Sequence, residues 1–363
     1  MPKRVPAEAD REGRQWRPGY KPVERAWYSG ALWIKLLAPL GFLYRQIAAY
    51  RRRRIEKNTE SRFKPPVPTV VVGNINVGGT GKSPLVLWMI QERMSRGQRP
   101  GVVSRGYGGR TANYPLDVTG ETDPNEAGDE PVMIARRTGC PVVVDPDRVA
   151  AVKYLLEHHD CSVVISDDGL QHYYLDRHVE IAVVDGMRGL GNGLCLPAGP
   201  LRETPERLKE VDLVVINGEG EPELPCMAHR MTLVPNRFVH IENDETVGVK
   251  DIQSDRVHAV AGIGNPDRFF ATLRDLGYEV IEHRFEDHHG FALADLKFED
   301  TLPVIMTEKD AVKCRPLNPG LIHDNFWYLE MNVSMPPAFV TTLLGRAGLN
   351  VTPLKVVGGT END

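Results

Sequence analysis

The residues with the clearest chemical potential lie in one run, Gly73-Asn74-Ile75-Asn76-Val77-Gly78-Gly79-Thr80-Gly81-Lys82-Ser83. A β-branched stretch precedes it and an amphipathic one follows, the strand, loop and helix order that a phosphate-binding loop requires. Backbone N–H groups across Asn76, Val77, Gly78, Gly79, Thr80 and Gly81 can turn inward around phosphate oxygens, and the N-terminus of the next helix favours an anion. Lys82 can then reach the β- and γ-phosphates, and Ser83 can ligate Mg²⁺. Asn76 stands where the strict G-x-x-x-x-G-K-S/T pattern has its first glycine, so Gly78 and Gly79 supply flexibility inside the loop. A plain Gly-rich turn would not require Gly-Lys-Ser at this junction.

Two acidic pairs accompany the loop. Val163-Val164-Ile165-Ser166-Asp167-Asp168 reads as a hydrophobic strand ending in carboxylates, the form of a Walker B element in which one carboxylate holds Mg²⁺ directly or through water. Gly128-Asp129-Glu130-Pro131 opens a predicted helix, where plain N-capping is the simplest reading of the residues alone.

These groups need a scaffold, and the pattern supplies one. After the prolines Pro65, Pro66 and Pro68, strands are predicted at Thr69 to Val72, Gly101 to Ser104, Val142 to Asp145, Ser162 to Ser166, Val179 to Val184 and Asp212 to Ile216. Several are apolar on successive residues, as strands buried on both faces of a parallel sheet are. Helices are predicted at Ser83 to Ser95, Ala127 to Arg137 and Arg148 to His158. The fold class is therefore α/β: a P-loop NTPase-like parallel sheet with helices on both faces over residues 65–217. A smaller C-terminal α/β domain is expected over 248–363, a linker over 218–247, and an amphipathic N-terminal segment over 1–64. Gly262-Ile263-Gly264-Asn265 lacks a complete dinucleotide fingerprint, so one nucleotide site is expected. The 363 residues, 41% hydrophobic and 26% charged, exclude collagenous and disordered classes. Five cysteines without a CxxC pair suggest neither a disulfide framework nor a cysteine zinc site, and point to a reducing compartment.

Charge is distributed unevenly. Residues 1–64 hold 16 Lys or Arg against 6 Asp or Glu, whereas the rest holds 28 against 43. A basic front end suits an anionic partner, and the segment from Trp27 to Tyr50, followed by Arg51 to Arg54, favours a membrane surface. Lys35, Pro39 and Arg45 interrupt any span, while Trp27, Tyr28 and Trp33 suit the headgroup layer. The alternative is a helix packed on its own domain with a solvated arginine face. The apolar stretch begins late and carries charges, unlike a secretory signal.

The ordered set GNINVGGTGKSP, SRGYGG, GDEP, DPDR, SDDGLQH, PAGPLRE, GIGNPDRFF, FEDHH and MTEKD resembles the tetraacyldisaccharide 4'-kinase (lipid A 4'-kinase) family over most of the chain. The resemblance implies transfer of phosphate from ATP, with Mg²⁺, to the 4'-hydroxyl of a lipid disaccharide 1-phosphate at the cytoplasmic face of the bacterial inner membrane. The expected partners are the lipid disaccharide and, peripherally, the anionic lipid of the inner membrane, with no nucleic acid on the charge argument and no obligate protein partner evident. The resemblance also implies that Asn76 to Ser83 cradle the triphosphate and that Asp129 and His288 form a dyad accepting the hydroxyl proton. His289 is adjacent, so the choice of histidine stays open. Glu130, Asp167 and Asp168 would surround Mg²⁺ with Ser83, and Arg148 and Arg202 would neutralise phosphate charge. Gln171, His172 and Tyr107 are further candidates, each with an equally good structural reading.

The main alternative is a membrane-associated P-loop GTPase or ATPase switch. Thr307-Glu308-Lys309-Asp310 has the residues of a guanine-selecting element in the wrong spacing, which leaves guanine selection unsupported. A nucleic-acid-binding ATPase would carry basic charge over its core, and this core is acidic.

Overall fold

The computed structural model describes residues 22–317 and 325–346, together with a two-stranded antiparallel pair, Glu8–Ala9 with Gln15–Trp16. The chain enters through α1 (Pro22–Ser29), a 3₁₀ turn (Leu32–Leu37) and α2 (Ala38–Lys57). It continues through β1 (Thr69–Gly73), α3 (Lys82–Ser95), β2 (Pro100–Ser104), β3 (Leu116–Val118), α4 (Pro124–Ala127), α5 (Asp129–Thr138) and β4 (Val142–Val144). α6 (Arg148–His158), β5 (Val163–Asp167), β6 (Val179–Asp185) and β7 (Leu213–Asn217) complete a first half. The second half comprises β8 (His229–His240), β9 (Thr246–Gly248), β10 (Arg256–Ala261), α7 (Pro266–Asp275), β11 (Glu279–Arg284), β12 (Val304–Thr307), α8 (Glu308–Cys314), β13 (Phe326–Ser334) and α9 (Pro337–Arg346).

All these strands share one sheet, in the order β11-β10-β12-β13-β8-β7-β6-β1-β5-β2-β4-β3, with β9 added to β8. Neighbours in the sheet are parallel except at three places: edge strand β3 against β4, the hairpin partner β9 against β8, and β8 against β13. Side chains alternate across a strand, so β1 sends Val70 and Val72 into the core beneath α3 and α5, and Val71 into a second core on the opposite face. Every residue of β1 is buried, which is why the segment is a continuous apolar run rather than an alternating one. Val72 pairs with Asp167, bringing the carboxyl ends of β1 and β5 side by side, where ligands bind in open parallel sheets.

The stretch 218–247, expected as a linker, carries the 12-residue strand β8. Its first residues pair in parallel with β7 and the remainder antiparallel with β13, with an irregularity at Pro235 to Arg237. The Pro- and Glu-rich start of the stretch hid a strand that fuses the two halves into one sheet. α9 also crosses back: Phe339 and Leu343 are fully buried in the first-half core, with the Phe339 ring 5.7 Å from Trp88.

At the front, Pro39 falls in the first turn of α2, where a missing N–H costs nothing. Trp27, expected at a headgroup layer, is instead buried, its indole N–H donating to Pro197 O at 3.0 Å. Trp33 is exposed, as are Leu32, Leu36, Leu40, Phe42, Leu43, Ile47 and Tyr50. Among the described residues no helix is long and apolar enough to cross a membrane.

Candidate active site

The loop after β1 is held from within and from both flanks. Asn74 donates its amide to Gly78 O and Thr80 Oγ1, both at 3.2 Å, and Asn76 donates to Gly189 O at 2.9 Å. Asn76 thus anchors the loop to its neighbour, a task for which a glycine has no side chain. Gly81 caps α3 with φ of 85°, a left-handed conformation that glycine adopts without strain. A Cβ there would collide with the Asn217 amide, which donates to Thr80 O at 3.0 Å. Arg188 contributes a further hydrogen bond to Gly79 O.

Lys82 and Ser83 open α3 and line a cavity of about 250 Å³ between the two halves, opposite Ile263, Gly264 and Arg268. Lys82 Nζ lies 3.4 Å from Asp168, and Arg202 lies 3.2 Å from it. Burial opposes ionisation of Asp168, but Lys82 and Arg202 outweigh it and hold the carboxyl down at about 2. Asp167 is the reverse case: burial, and then the Glu130 carboxylate, keep it well above the usual carboxylate range. Its Oδ1 is buried without a hydrogen-bond partner.

The fold brings Asp129 and His288 into contact. Gly128, with φ of 90°, breaks the predicted helix Ala127 to Arg137 into α4 and α5 and presents Asp129 at the head of α5. His288 Nδ1 meets Asp129 Oδ2 at 3.0 Å. The Asp129 hydrogen bond raises the imidazole above its ordinary range, against burial and the nearby Lys309 ammonium. Burial opposes the Asp129 charge, yet the His288 hydrogen bond and Lys309 hold its pKa below the ordinary value. His289 turns away to Asp295 at 3.1 Å and stacks on Phe285, so of the two histidines the fold brings His288 to the carboxylate. Among the described residues, three non-glycine residues have positive φ, and two of them are Asp168 at 49° and His288 at 60°. Such backbone strain collects where a side chain must be aimed.

Other candidates take different places. Arg148 is 1% exposed and donates to Asp145 O at 2.8 Å and Asp167 O at 3.1 Å. Burial lowers its pKa to about 10. It braces the two strand ends from beneath instead of facing the cleft, because the Asp147 cap turns α6 inward at this residue. Gln171 donates to Asn74 O at 3.1 Å and Glu203 at 2.8 Å, supporting the loop. Burial lowers His172 to about 4, leaving a neutral ring. Tyr107 lies with its ring 5.0 Å from His288.

Lys309 carried no assigned role in the sequence. Capped by Thr307 at the head of α8, it places Nζ 3.2 Å from Glu130, 3.7 Å from Asp287 and 3.3 Å from His288 Nε2. Glu130, expected near Mg²⁺, is engaged with this lysine. A lysine in Thr-Glu-Lys-Asp, directly after an apolar strand, was the available signal; its three partners come from other parts of the chain. Asn217 and Arg268, which meet at 3.0 Å beside the loop, gave no motif.

A phosphate-binding loop at the carboxyl edge of a parallel sheet, facing paired carboxylates and a His-Asp pair, defines a P-loop kinase fold. The family model for LpxK, tetraacyldisaccharide-1-P 4'-kinase, matches residues 33–347. The tetraacyldisaccharide 4'-kinase of Hahella chejuensis is 50% identical over 324 residues, 87% of this chain and 94% of that protein. That of Alcanivorax borkumensis is 47% identical over 335 residues, 90% and 97% of the two chains. The crystal structure of LpxK from Aquifex aeolicus in complex with ATP superposes with a TM-score of 0.73 at 28% identity, over 86% of this chain and 98% of that one. The chain belongs to the tetraacyldisaccharide 4'-kinase family, the kinases of lipid A synthesis.

Proposed function

We propose that the protein transfers the γ-phosphoryl group of ATP to the 4'-hydroxyl of tetraacyldisaccharide 1-phosphate, working peripherally on the cytoplasmic face of the inner membrane. The observation that carries this reading is the 3.0 Å contact between His288 and Asp129, 159 residues apart, beside the cleft of the phosphate loop. ATP is the donor that the Aquifex relative holds. In this reading His288 Nε2 takes the hydroxyl proton as the oxygen attacks the γ-phosphorus and ADP departs. Asp129 keeps the ring oriented through Nδ1 and stabilises the imidazolium that forms. Lys82 and the loop amides face the charge on the phosphoryl oxygens, and Arg202 stands behind Lys82 through Asp168.

Magnesium fits the donor set. Ser83, Asp167 and Asp168 offer the hard oxygens it prefers, Glu130 being taken up by Lys309, and the unpartnered buried oxygen of Asp167 is a site that a cation would satisfy. Among the described residues no three His, Cys, Asp or Glu side chains are grouped so as to hold a metal ion by themselves. When bound, it would offset charge on the β- and γ-phosphates.

A lipid acceptor accounts for the exposed apolar side chains of the 3₁₀ turn and α2, which run into the exposed Arg51, Arg53 and Arg54. The dyad reading is tested with Asp129→Ala, His288→Ala and the double variant. Each single change should lower kcat by about 10²- to 10⁴-fold with ATP affinity little changed. The double should cost scarcely more than the worse single, because the pair acts as one unit. Additive losses, or a His288→Ala defect confined to KM, would instead make His288 a substrate-binding residue.

A further inference from the structure

The dyad sits between two cavities: the cleft of about 250 Å³ that holds Lys82, and a smaller one of about 140 Å³ lined by Tyr107, Asp129, His288 and Lys313. Lys309 spans the boundary. It lines the larger cleft, yet its Nζ reaches the one imidazole nitrogen that Asp129 leaves open. An ammonium has donors only, so Nε2 facing it at 3.3 Å must accept, and the single ring proton must lie on Nδ1 toward Asp129.

We propose that Lys309 is a positioning residue for the dyad: its ammonium holds His288 Nε2 as an acceptor and the ring proton on Nδ1, until the acceptor hydroxyl takes its place at Nε2. This rests on the reading of His288 as the base. The lysine can release that contact without stranding its charge, because Glu130 at 3.2 Å, Asp287 at 3.7 Å and Asp129 at 3.9 Å still surround it. Lys309 thus stays ion-paired whether or not it touches His288. The groups facing His288 are therefore Asp129 from α5, Lys309 from α8, Asp287 from its own loop and the Tyr107 ring. Left to Asp129 alone, the imidazole would be drawn further toward its doubly protonated form, in which Nε2 has no lone pair for a hydroxyl. The opposing cation keeps the base available.

The test is ¹⁵N NMR of the full-length protein with labelled histidine, in which the His288 signals among the 11 histidines are identified by their loss in His288→Ala. It is run beside kcat measured as a function of pH. In the wild type at pH 8, Nδ1 should carry the proton and Nε2 should be an acceptor; a proton found on Nε2 overturns the proposal without any Lys309 variant. In Lys309→Met, Nε2 should gain proton occupancy and the acid limb of kcat should move to higher pH. The plateau should fall about 10²-fold, the scale of a misplaced catalytic group, with KM for ATP little changed. Lys309→Arg should recover most of the rate. A fall in kcat with the tautomer and the acid limb both unmoved would assign Lys309 to charge balance for Glu130 and Asp129, against the proposal. Wild-type turnover in His288→Ala would remove the base reading on its own, whatever the lysine variants show.

Discussion

At the scale of single residues, the site is a balance of charges that phosphate is meant to enter. Lys82 rests against Asp168, so Lys82→Ala removes the loop's own cation and leaves Arg202 as the partner of that carboxylate. The folded variant should lose transfer by at least the 10²- to 10³-fold typical of one preorganised electrostatic group, measured as single-turnover product formation. Wild-type-like turnover would remove the loop assignment. In the proposed mechanism the dyad sets the pH dependence. Asp129 raises the pKa of His288, and a base works only when unprotonated, so kcat/KM should fall as pH drops through a midpoint higher than that of an ordinary imidazole, and His288→Ala should abolish that limb. The loop was legible because Gly-Lys-Ser is a local signal, fixed by the junction of one strand and one helix. The Asp129 to His288 contact was expected from family motifs alone, since no spacing can show that residues so far apart meet. The resemblance implied a phosphate role for Arg148, whereas its side chain is buried and donates to Asp145 O and Asp167 O at the strand ends.

At the scale of elements, positions without side chains do much of the aiming. Gly81 combines a φ of 85° with the Asn217 amide directly over its α-carbon. Gly81→Ala should therefore weaken ATP binding at least tenfold through displacement of the loop, while melting changes by only about 1 kcal/mol. Calorimetric titration of nucleotide checks it, and unchanged affinity would show that the loop reshapes freely. The strands of the first half were readable because burial on both faces makes them unbroken runs of Val and Ile. β8 was not, because its residues alternate between buried and exposed, contain Pro235, and follow a polar, proline-rich turn. The break at Gly128 was hidden for a different reason. Helical composition runs through it, and only the approach of Tyr107 O, 2.7 Å from where a Cβ would stand, shows why a glycine belongs there.

At the scale of the whole molecule, one continuous sheet joins the half carrying the phosphate loop to the half carrying His288 and Lys309, so the cleft between them is formed by the fold itself. The front end adds an apolar face that nothing else in the described chain covers. Replacing Leu36, Leu40 and Leu43, which are 81%, 54% and 55% exposed, with Ser should release the protein from anionic vesicles by at least 10²-fold in partition. Each leucine brings about 1.5–3 kcal/mol when buried, and the arginines about 1 kcal/mol apiece. Added salt should remove part of the remaining binding. Unchanged co-sedimentation would move the contact elsewhere. Burial of Trp27 shows the limit of composition here: its aromatic character was evident, its direction was not. The central claim is tested most directly by incubating the protein with γ-labelled ATP and tetraacyldisaccharide 1-phosphate, then locating the label. Label on the 4'-oxygen of the lipid, with far less from GTP and none on soluble glucosamine, is the predicted result. Hydrolysis to free phosphate without lipid labelling, or equal use of GTP, would contradict the account.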